Sequence, residues 1–165
     1  TERHRVVEGM QPDEHVVDMF AGVGPFAIPA ASRGAEVIAV DLNETAVGYL
    51  RENARRNGVS DSLTSIAGDV RDVATDYYGW ADRLVMNLPH SAGNFLETAV
   101  DLAGGECVIH YYDIQHDSDP FGPGIEAIRA AAEPEYDVTV ETEHVVRSYA
   151  PHELNVCLDV RLTRS

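Results

Sequence analysis

Short apolar runs alternate with longer mixed segments along this chain. Five runs rich in valine and isoleucine read as strands: His15–Phe20, Glu36–Val40, Leu63–Ala67, Arg83–Met86 and Cys107–Tyr112. Their length and β-branched content favour strand over helix. Helices are predicted between them, over residues 2–10, Pro25–Ser32, from an Asn43 cap to Asn57, and Ala92–Ala103. Pro25 is tolerated in a first helical turn. Gly34, Gly58 and the Gly104-Gly105 pair act as helix stops. Residues Gln115–Gly124 are looser and rich in Asp, Pro and Gly, and a helix follows to Ala132. Two alternating runs close the chain, Val138–Tyr149 and Leu154–Leu162, parted by Pro151-His152-Glu153. They read as an antiparallel pair at one sheet edge. Alternation of strand and helix predicts a single α/β domain over 1–165 with a mostly parallel sheet. No internal repeat or low-complexity segment interrupts it.

The first strand carries the most chemistry. Val16-Val17-Asp18-Met19-Phe20 breaks into Ala21-Gly22-Val23-Gly24-Pro25-Phe26, a glycine turn before a helix. Such a turn lets backbone approach a ligand closely, and an acid ending the second strand, here Asp41, can accept from two ribose hydroxyls. Which nucleotide cofactor fits is set by the details. The dinucleotide fingerprint needs a third glycine, and Pro25-Phe26-Ala27 does not supply it. The chain has no lysine, which excludes a P-loop. Asp18, just before the turn, would repel a pyrophosphate but suits the ammonium of S-adenosylmethionine. A dinucleotide enzyme and a purely structural turn are the competing readings.

The carboxyl ends of parallel strands are where ligands bind. Asp18, Phe20, Gly22, Gly24, Asp41, Leu42, Asp69, Val70 and Asn87 fall there and are the candidate cofactor residues. Asp41 competes with a reading as a solvated acid or helix cap. Asp69 is placed to accept from the adenine amino group with Val70 on the ring, or it is an ordinary turn residue. Asn87-Leu88-Pro89 offers an amide and a fixed turn where the methyl group leaves sulfur, against a plain β–α turn. His90, beside it, reads more simply as a loop residue.

Composition narrows the function further. The 165 residues carry 28 acids and 12 arginines, for a net charge of −16. Phosphate contacts need positive charge, so so acidic a chain argues against tight nucleic-acid binding of its own. Loss of every lysine goes beyond acidity and points to adaptation to concentrated salt. No apolar run approaches the roughly 20 residues of a membrane helix, and no signal peptide precedes the first strand. A cytoplasmic monomer with no membrane role is expected. Cys107 and Cys157 sit in apolar runs without metal spacing, and the seven histidines are scattered, so no metal is expected.

Asp18 to Phe26, Asp69-Val70-Arg71, Asn87-Leu88-Pro89, His110-Tyr111-Tyr112 and Arg147-Ser148-Tyr149-Ala150-Pro151 occur in this order across nearly the whole chain. Together they resemble the archaeal and eukaryotic tRNA (guanine-37 N1)-methyltransferases. The resemblance implies a class I, Rossmann-like methyltransferase fold and S-adenosylmethionine as cofactor. It implies the tRNA anticodon loop as partner. It makes Glu2 the general base. By their own chemistry Asn87 and Pro89 are the further catalytic candidates, orienting the target base and fixing its turn, and Arg147 and Tyr149 are candidate substrate contacts, a guanidinium for a phosphate and an aromatic to stack a base. A base is needed because guanine N1 carries a proton at neutral pH. Glu2 as a solvated acid favoured by the helix dipole is the plainer alternative, and an edge pair without function is the alternative for Arg147 and Tyr149. The family also carries an upstream arginine and an N-terminal tRNA-reading domain, neither of which this chain contains, so a catalytic domain alone is expected. A sister family transfers an aminocarboxypropyl group from the same cofactor in wyosine biosynthesis. It lacks the Gly-Pro-Phe and Asn-Leu-Pro units, which favours methyl transfer here. A non-catalytic cofactor-binding module is the other alternative.

The charge balance yields a direct test. The chain should melt at a higher temperature in molar KCl than in dilute buffer, because salt screens self-repulsion. An equal or lower melting temperature in KCl contradicts salt adaptation.

Overall fold

A computed structural model describes residues 1–165. In chain order the elements are α1 (Glu2–Glu8), β1 (His15–Asp18), α2 (Ala27–Ser32), β2 (Glu36–Asp41), α3 (Glu44–Arg56), β3 (Leu63–Ala67) and α4 (Val70–Val73). Then come β4 (Ala81–Met86), α5 (Leu96–Leu102), β5 (Ala103–His116), α6 (Gly122–Ala132), β6 (Tyr136–Ala150) and β7 (Glu153–Arg164). The seven strands form one sheet in the order β3-β2-β1-β4-β5-β7-β6. β1 to β5 run parallel. β7 lies antiparallel between β5 and β6. The α/β class and the closing antiparallel pair therefore stand as expected. No helix is long and apolar enough to cross a membrane.

The sheet is covered on both faces. Val16, Val37, Val85, Tyr112 and Cys157 pack on one side beneath α1, α2 and α3. Val17, Ile38, Leu84, Ile109 and Leu158 pack on the other beneath α5 and α6. This double burial is why the central runs read as nearly continuous apolar stretches.

Local chemistry sets the boundaries. Asn43 Oδ1 accepts from the Ala46 amide at 3.0 Å and caps α3, as its sequence predicts. β1 stops at Asp18, two residues short of the expected Phe20. Met19 still donates to Val85 and Ala21 to Val40, but the chain is already turning. Pro25 and Phe26 stay in that turn, and α2 begins at Ala27. The expected helix Ala92–Ala103 divides into a 3₁₀ turn, Ala92–Phe95, and α5.

Gly104 and Gly105 are not simply a helix stop but lie inside β5. A side chain at Gly104 would come within 3.2 Å of the Gly79 and Ala81 carbonyls, so the strand enters the sheet by close backbone approach. β5 runs four residues past Tyr112 because β7 pairs with it from Glu106 to His116. The short α4, capped by Asp69, has no periodic signal in the sequence.

Gly22 and Gly24 both hold positive φ, +57° and +101°, but for different reasons. Nothing lies within 4 Å of a side chain added at Gly22. One at Gly24 would meet Leu50 Cδ1 at 2.7 Å and Ile28 Cγ1 at 2.8 Å. Gly24→Ala should therefore destabilise the fold by about 2–4 kcal/mol, from overpacking plus backbone strain, and Gly22→Ala by only about 1 kcal/mol. Urea unfolding of both variants checks this, and equal losses would contradict the distinction.

Candidate active site at the carboxyl edge of the sheet

The turn after β1 and the end of β2 are joined by one carboxylate. Asp41 Oδ2 accepts from the Gly22 amide at 2.8 Å, and Oδ1 from the Asn43 amide at 2.9 Å. Each oxygen keeps a second lone pair. Asn43, not Asp41, caps α3, which removes the capping role for Asp41. A cavity of about 240 Å³ opens in front of it, at the ends of β1 to β4. Phe20, Asp41, Leu42, Asp69 and Val70 all line it. Leu42 presents an exposed apolar side chain at the rim.

Asp69 does two things here. Its carboxylate caps α4 through the Arg71 amide at 2.9 Å and pairs with the Arg71 guanidinium at 2.6 Å. These hydrogen bonds from Arg71 hold its pKa down at about 2. Arg71 in turn lies 5.1 Å over the Phe95 ring, which meets Phe20 edge-on at 4.9 Å. Met19, Arg71, Leu88 and Phe95 also line the cavity. Sequence reasoning did not select them as site residues. Arg71 and Leu88 stand inside motifs already singled out. Phe95 carries no local signal and is delivered by the 3₁₀ turn.

Asp18 and Gly24 stand back from this cavity. Gly24 packs against α3, as described. Asp18 is buried, and neither of its carboxylate oxygens has a hydrogen-bond partner. Burial pushes its pKa up to about 7; the Phe20 amide opposes the shift without closing a proper bond, and the Asp41 charge adds to it. Asn87 follows β4 directly, one residue before Leu88 at the cavity wall. The Pro89 carbonyl accepts from the Ile114 amide at 3.1 Å, which pins this turn to β5.

Glu2 belongs to a second cluster, on the α1 side. Thr1 caps α1 by accepting from the His4 amide at 3.2 Å. Glu2 Oε1 accepts from Tyr112 at 2.9 Å and from Arg5 at 2.7 Å, and Oε2 lies 3.1 Å from His144 Nε2. Burial alone would raise its pKa. Hydrogen bonds from Arg5 and Tyr112 and the charges of Arg5 and His144 outweigh burial, so the carboxyl is held below its ordinary value. Of the two candidate substrate contacts, Tyr149 is tied to the Asn87–Pro89 turn, its hydroxyl 3.0 Å from His90 Nε2. Arg147 is exposed opposite Asn155 on β7.

His110, Cys157 and Asp159 gather behind Arg5 close enough for a metal. Their bonding reads as a charge network instead. Arg83 donates to His110 Nε2 at 2.8 Å, so the ring is neutral and its Nδ1–H donates to Asp159 Oδ1 at 2.7 Å.

The strand order and the cavity at its switch point define a class I methyltransferase fold. Residues 1–141 match the TRM5/TYW2 methyltransferase domain, and the chain belongs to that family. It is 42% identical to the tRNA (guanine(37)-N(1))-methyltransferase Trm5b of Pyrococcus abyssi, over 99% of this chain and 48% of that protein. It is 34% identical to the tRNA(Phe) (4-demethylwyosine(37)-C(7)) aminocarboxypropyltransferase of Pyrococcus horikoshii, over 99% of this chain and 59% of that one. The crystal structure of M. jannaschii TYW2 in complex with AdoMet superposes with a TM-score of 0.93 at 32% identity, covering 99% of this chain and 75% of that one. The chain spans about half the length of the Trm5b relative.

The buried Asp18 gives a ligand-free test of this geometry. Its folded pKa, about 7, lies above the ordinary 3.8. As pH rises, the unfolded chain ionises first, so stability falls between these two values and levels off above them. Relative to Asp18→Asn, the native chain should lose on the order of 3 kcal/mol between about pH 4 and about pH 8. Parallel unfolding curves at all pH values would contradict a protonated buried Asp18.

Proposed function

We propose that this chain is the catalytic domain of a methyltransferase that moves a methyl group from S-adenosylmethionine to N1 of guanine 37 in tRNA. The observation that carries the reading is the pinned Asp41 carboxylate facing a cavity walled by Phe20, Leu42 and Val70. Asp41 has lone pairs left for two ribose hydroxyls, and the apolar walls suit an adenine ring. Asp18 is set back behind the cavity with both oxygens enclosed, so the reading does not rest on its meeting the methionyl ammonium. The glycine turn at Gly22 and Gly24 shapes the approach, and Asp69 is the adenine-amino acceptor.

The cofactor supplies an electrophilic methyl group. The remaining work falls to side chains of this chain. A base buried in an anticodon loop is flipped out before reaction. Asn87 orients the guanine, and Pro89 fixes the turn that holds Asn87. Glu2, kept ionised by its partners, takes the N1 proton. Arg147 and Tyr149 hold a phosphate and stack a base. The net charge of −16 leaves few phosphate contacts, so docking of tRNA rests on other surfaces. The working setting we propose is a salt-rich cytoplasm, with the protein a monomer.

Aminocarboxypropyl transfer from the same cofactor is the second reading. The higher identity to the methyltransferase relative and the presence of Gly24-Pro25-Phe26 and Asn87-Leu88-Pro89 favour methyl transfer.

Asp41→Ala should weaken S-adenosylmethionine binding by about 1.5–3 kcal/mol, as read by calorimetry. Glu2→Gln should leave that affinity nearly unchanged and sharply slow single-turnover methylation of guanine-37 tRNA by the protein as the cell makes it. Unchanged affinity in a folded Asp41→Ala variant would contradict the cofactor site. Unchanged turnover in Glu2→Gln would remove Glu2 from the reaction.

A further inference from the structure

Flipping a base out of an RNA loop leaves its neighbours without the ring they stacked on, and a protein that supplies a ring of its own favours the flipped state. Two rings stand open beside the Asn87–Pro89 turn. His90 follows Pro89 directly and is exposed. Tyr149, near the end of β6, is 53% exposed. They come from elements far apart in the chain, yet His90 Nε2 lies 3.0 Å from the Tyr149 hydroxyl. The rings meet edge to face, with 5.1 Å between centroids and 75° between planes. Each ring is held by the other, and neither belongs to a core cluster.

Two further observations give this pair a direction. The Pro89 carbonyl accepts from the Ile114 amide at 3.1 Å, so the turn that carries Asn87 also carries His90 in a fixed place. Arg147 stands exposed two residues before Tyr149 on the same strand, within reach of a backbone that runs past the rings. The charge of the chain matters as well. At a net −16 it has little attraction for phosphate, and concentrated salt weakens phosphate contacts further. Stacking of a base on an aromatic ring does not draw on that attraction.

We propose that His90 and Tyr149 act as one two-ring wedge, which stacks against a nucleotide adjoining guanine 37 once that base is turned toward Asn87. The inference rests on guanine-37 tRNA being the substrate. It adds His90 to the stacking role of Tyr149 and names the base they receive. The hydrogen bond between the rings couples them, since His90 sets the tilt of Tyr149 and Tyr149 keeps His90 beside the turn. The wedge lowers the cost of holding guanine out of the loop, because its neighbour exchanges a lost base for a protein ring.

The test is binding of guanine-37 tRNA, labelled with 2-aminopurine on one side or the other of the target, to the protein as the cell makes it. S-adenosylhomocysteine replaces the methyl donor, so no transfer occurs. 2-Aminopurine is dim when stacked and bright when unstacked. In the native complex one of the two labelled positions should stay dim. His90→Ala and Tyr149→Leu should each brighten that position and weaken tRNA binding on the order of tenfold, the worth of one stacked base, with S-adenosylmethionine affinity unchanged. Tyr149→Phe keeps the ring but loses the bond to His90, and should fall between native and Tyr149→Leu. The double variant His90→Ala, Tyr149→Leu should bind no more weakly than the weaker single variant, because the rings act as a unit. Native brightness and affinity in a folded His90→Ala protein overturn the wedge, as do losses that simply add in the double variant. Methylation of unlabelled tRNA by the native protein separates the two claims. If guanine 37 is methylated and neither label responds to His90→Ala, only the wedge falls. If guanine 37 is left unmethylated, the functional reading and the wedge fall together.

Discussion

Parallel pairing of β1 with both β2 and β4 is the constraint on which the rest of this structure depends. Parallel strands all end at one edge, so the turns after β1, β2, β3 and β4 must gather there. The chain proceeds outward from β1 in one direction through β2 and β3, then returns to its other side through β4 and β5. The crevice opens where the direction reverses. The hydrogen bond from the Gly22 amide to Asp41 closes that geometry at 2.8 Å, by locking the first turn to the end of the second strand. Gly24 makes the lock possible, because only a residue without a side chain lets the turn settle against Leu50 and Ile28.

A second organising feature is electrostatic. In so acidic a chain, two of the 12 arginines, Arg5 and Arg83, are largely covered and paired with acids. Glu14, Arg83, His110, Asp159, Arg5 and Glu2 form one continuous chain of polar contacts. It ties α1 to β4, β5 and β7. Desolvation of such groups costs much of what their attraction returns, so their contribution is to geometry more than to stability. They fix where α1 lies, and with it the position and charge state of Glu2. The neutral His110, locked in one tautomer, is a consequence of that arrangement.

Much of this is legible in the sequence. β-branched runs mark the five parallel strands, Asn43 marks the start of α3, and the Asp or Asn at the end of each apolar run marks the carboxyl edge. Gly22 and Asp41 are both placed at that edge by the sequence, but the hydrogen bond between them is seen only in the fold. Strand order is not legible, because period and propensity are local while the insertion of β7 between β5 and β6 depends on long-range pairing. The twin glycines 104 and 105 mislead for the same reason: their close approach to Gly79 and Ala81 exists only in the folded sheet. Phe95 reaches the cavity through a 3₁₀ turn with no periodic signature. Arg5 stands one helical turn from Glu2 and is visible in the sequence, but Tyr112 and His144 reach Glu2 only by sheet register.

The central claim is that the crevice and the Glu2 cluster together direct a methyl group to guanine N1. Its most direct test is the chemical identity of the product. Guanine-37 tRNA is incubated with S-adenosylmethionine and the protein as the cell makes it, and the tRNA is then digested and its nucleosides identified by mass spectrometry. The account predicts 1-methylguanosine at position 37. An aminocarboxypropyl-modified nucleoside, or unmodified guanosine from a protein that binds the cofactor, would contradict it.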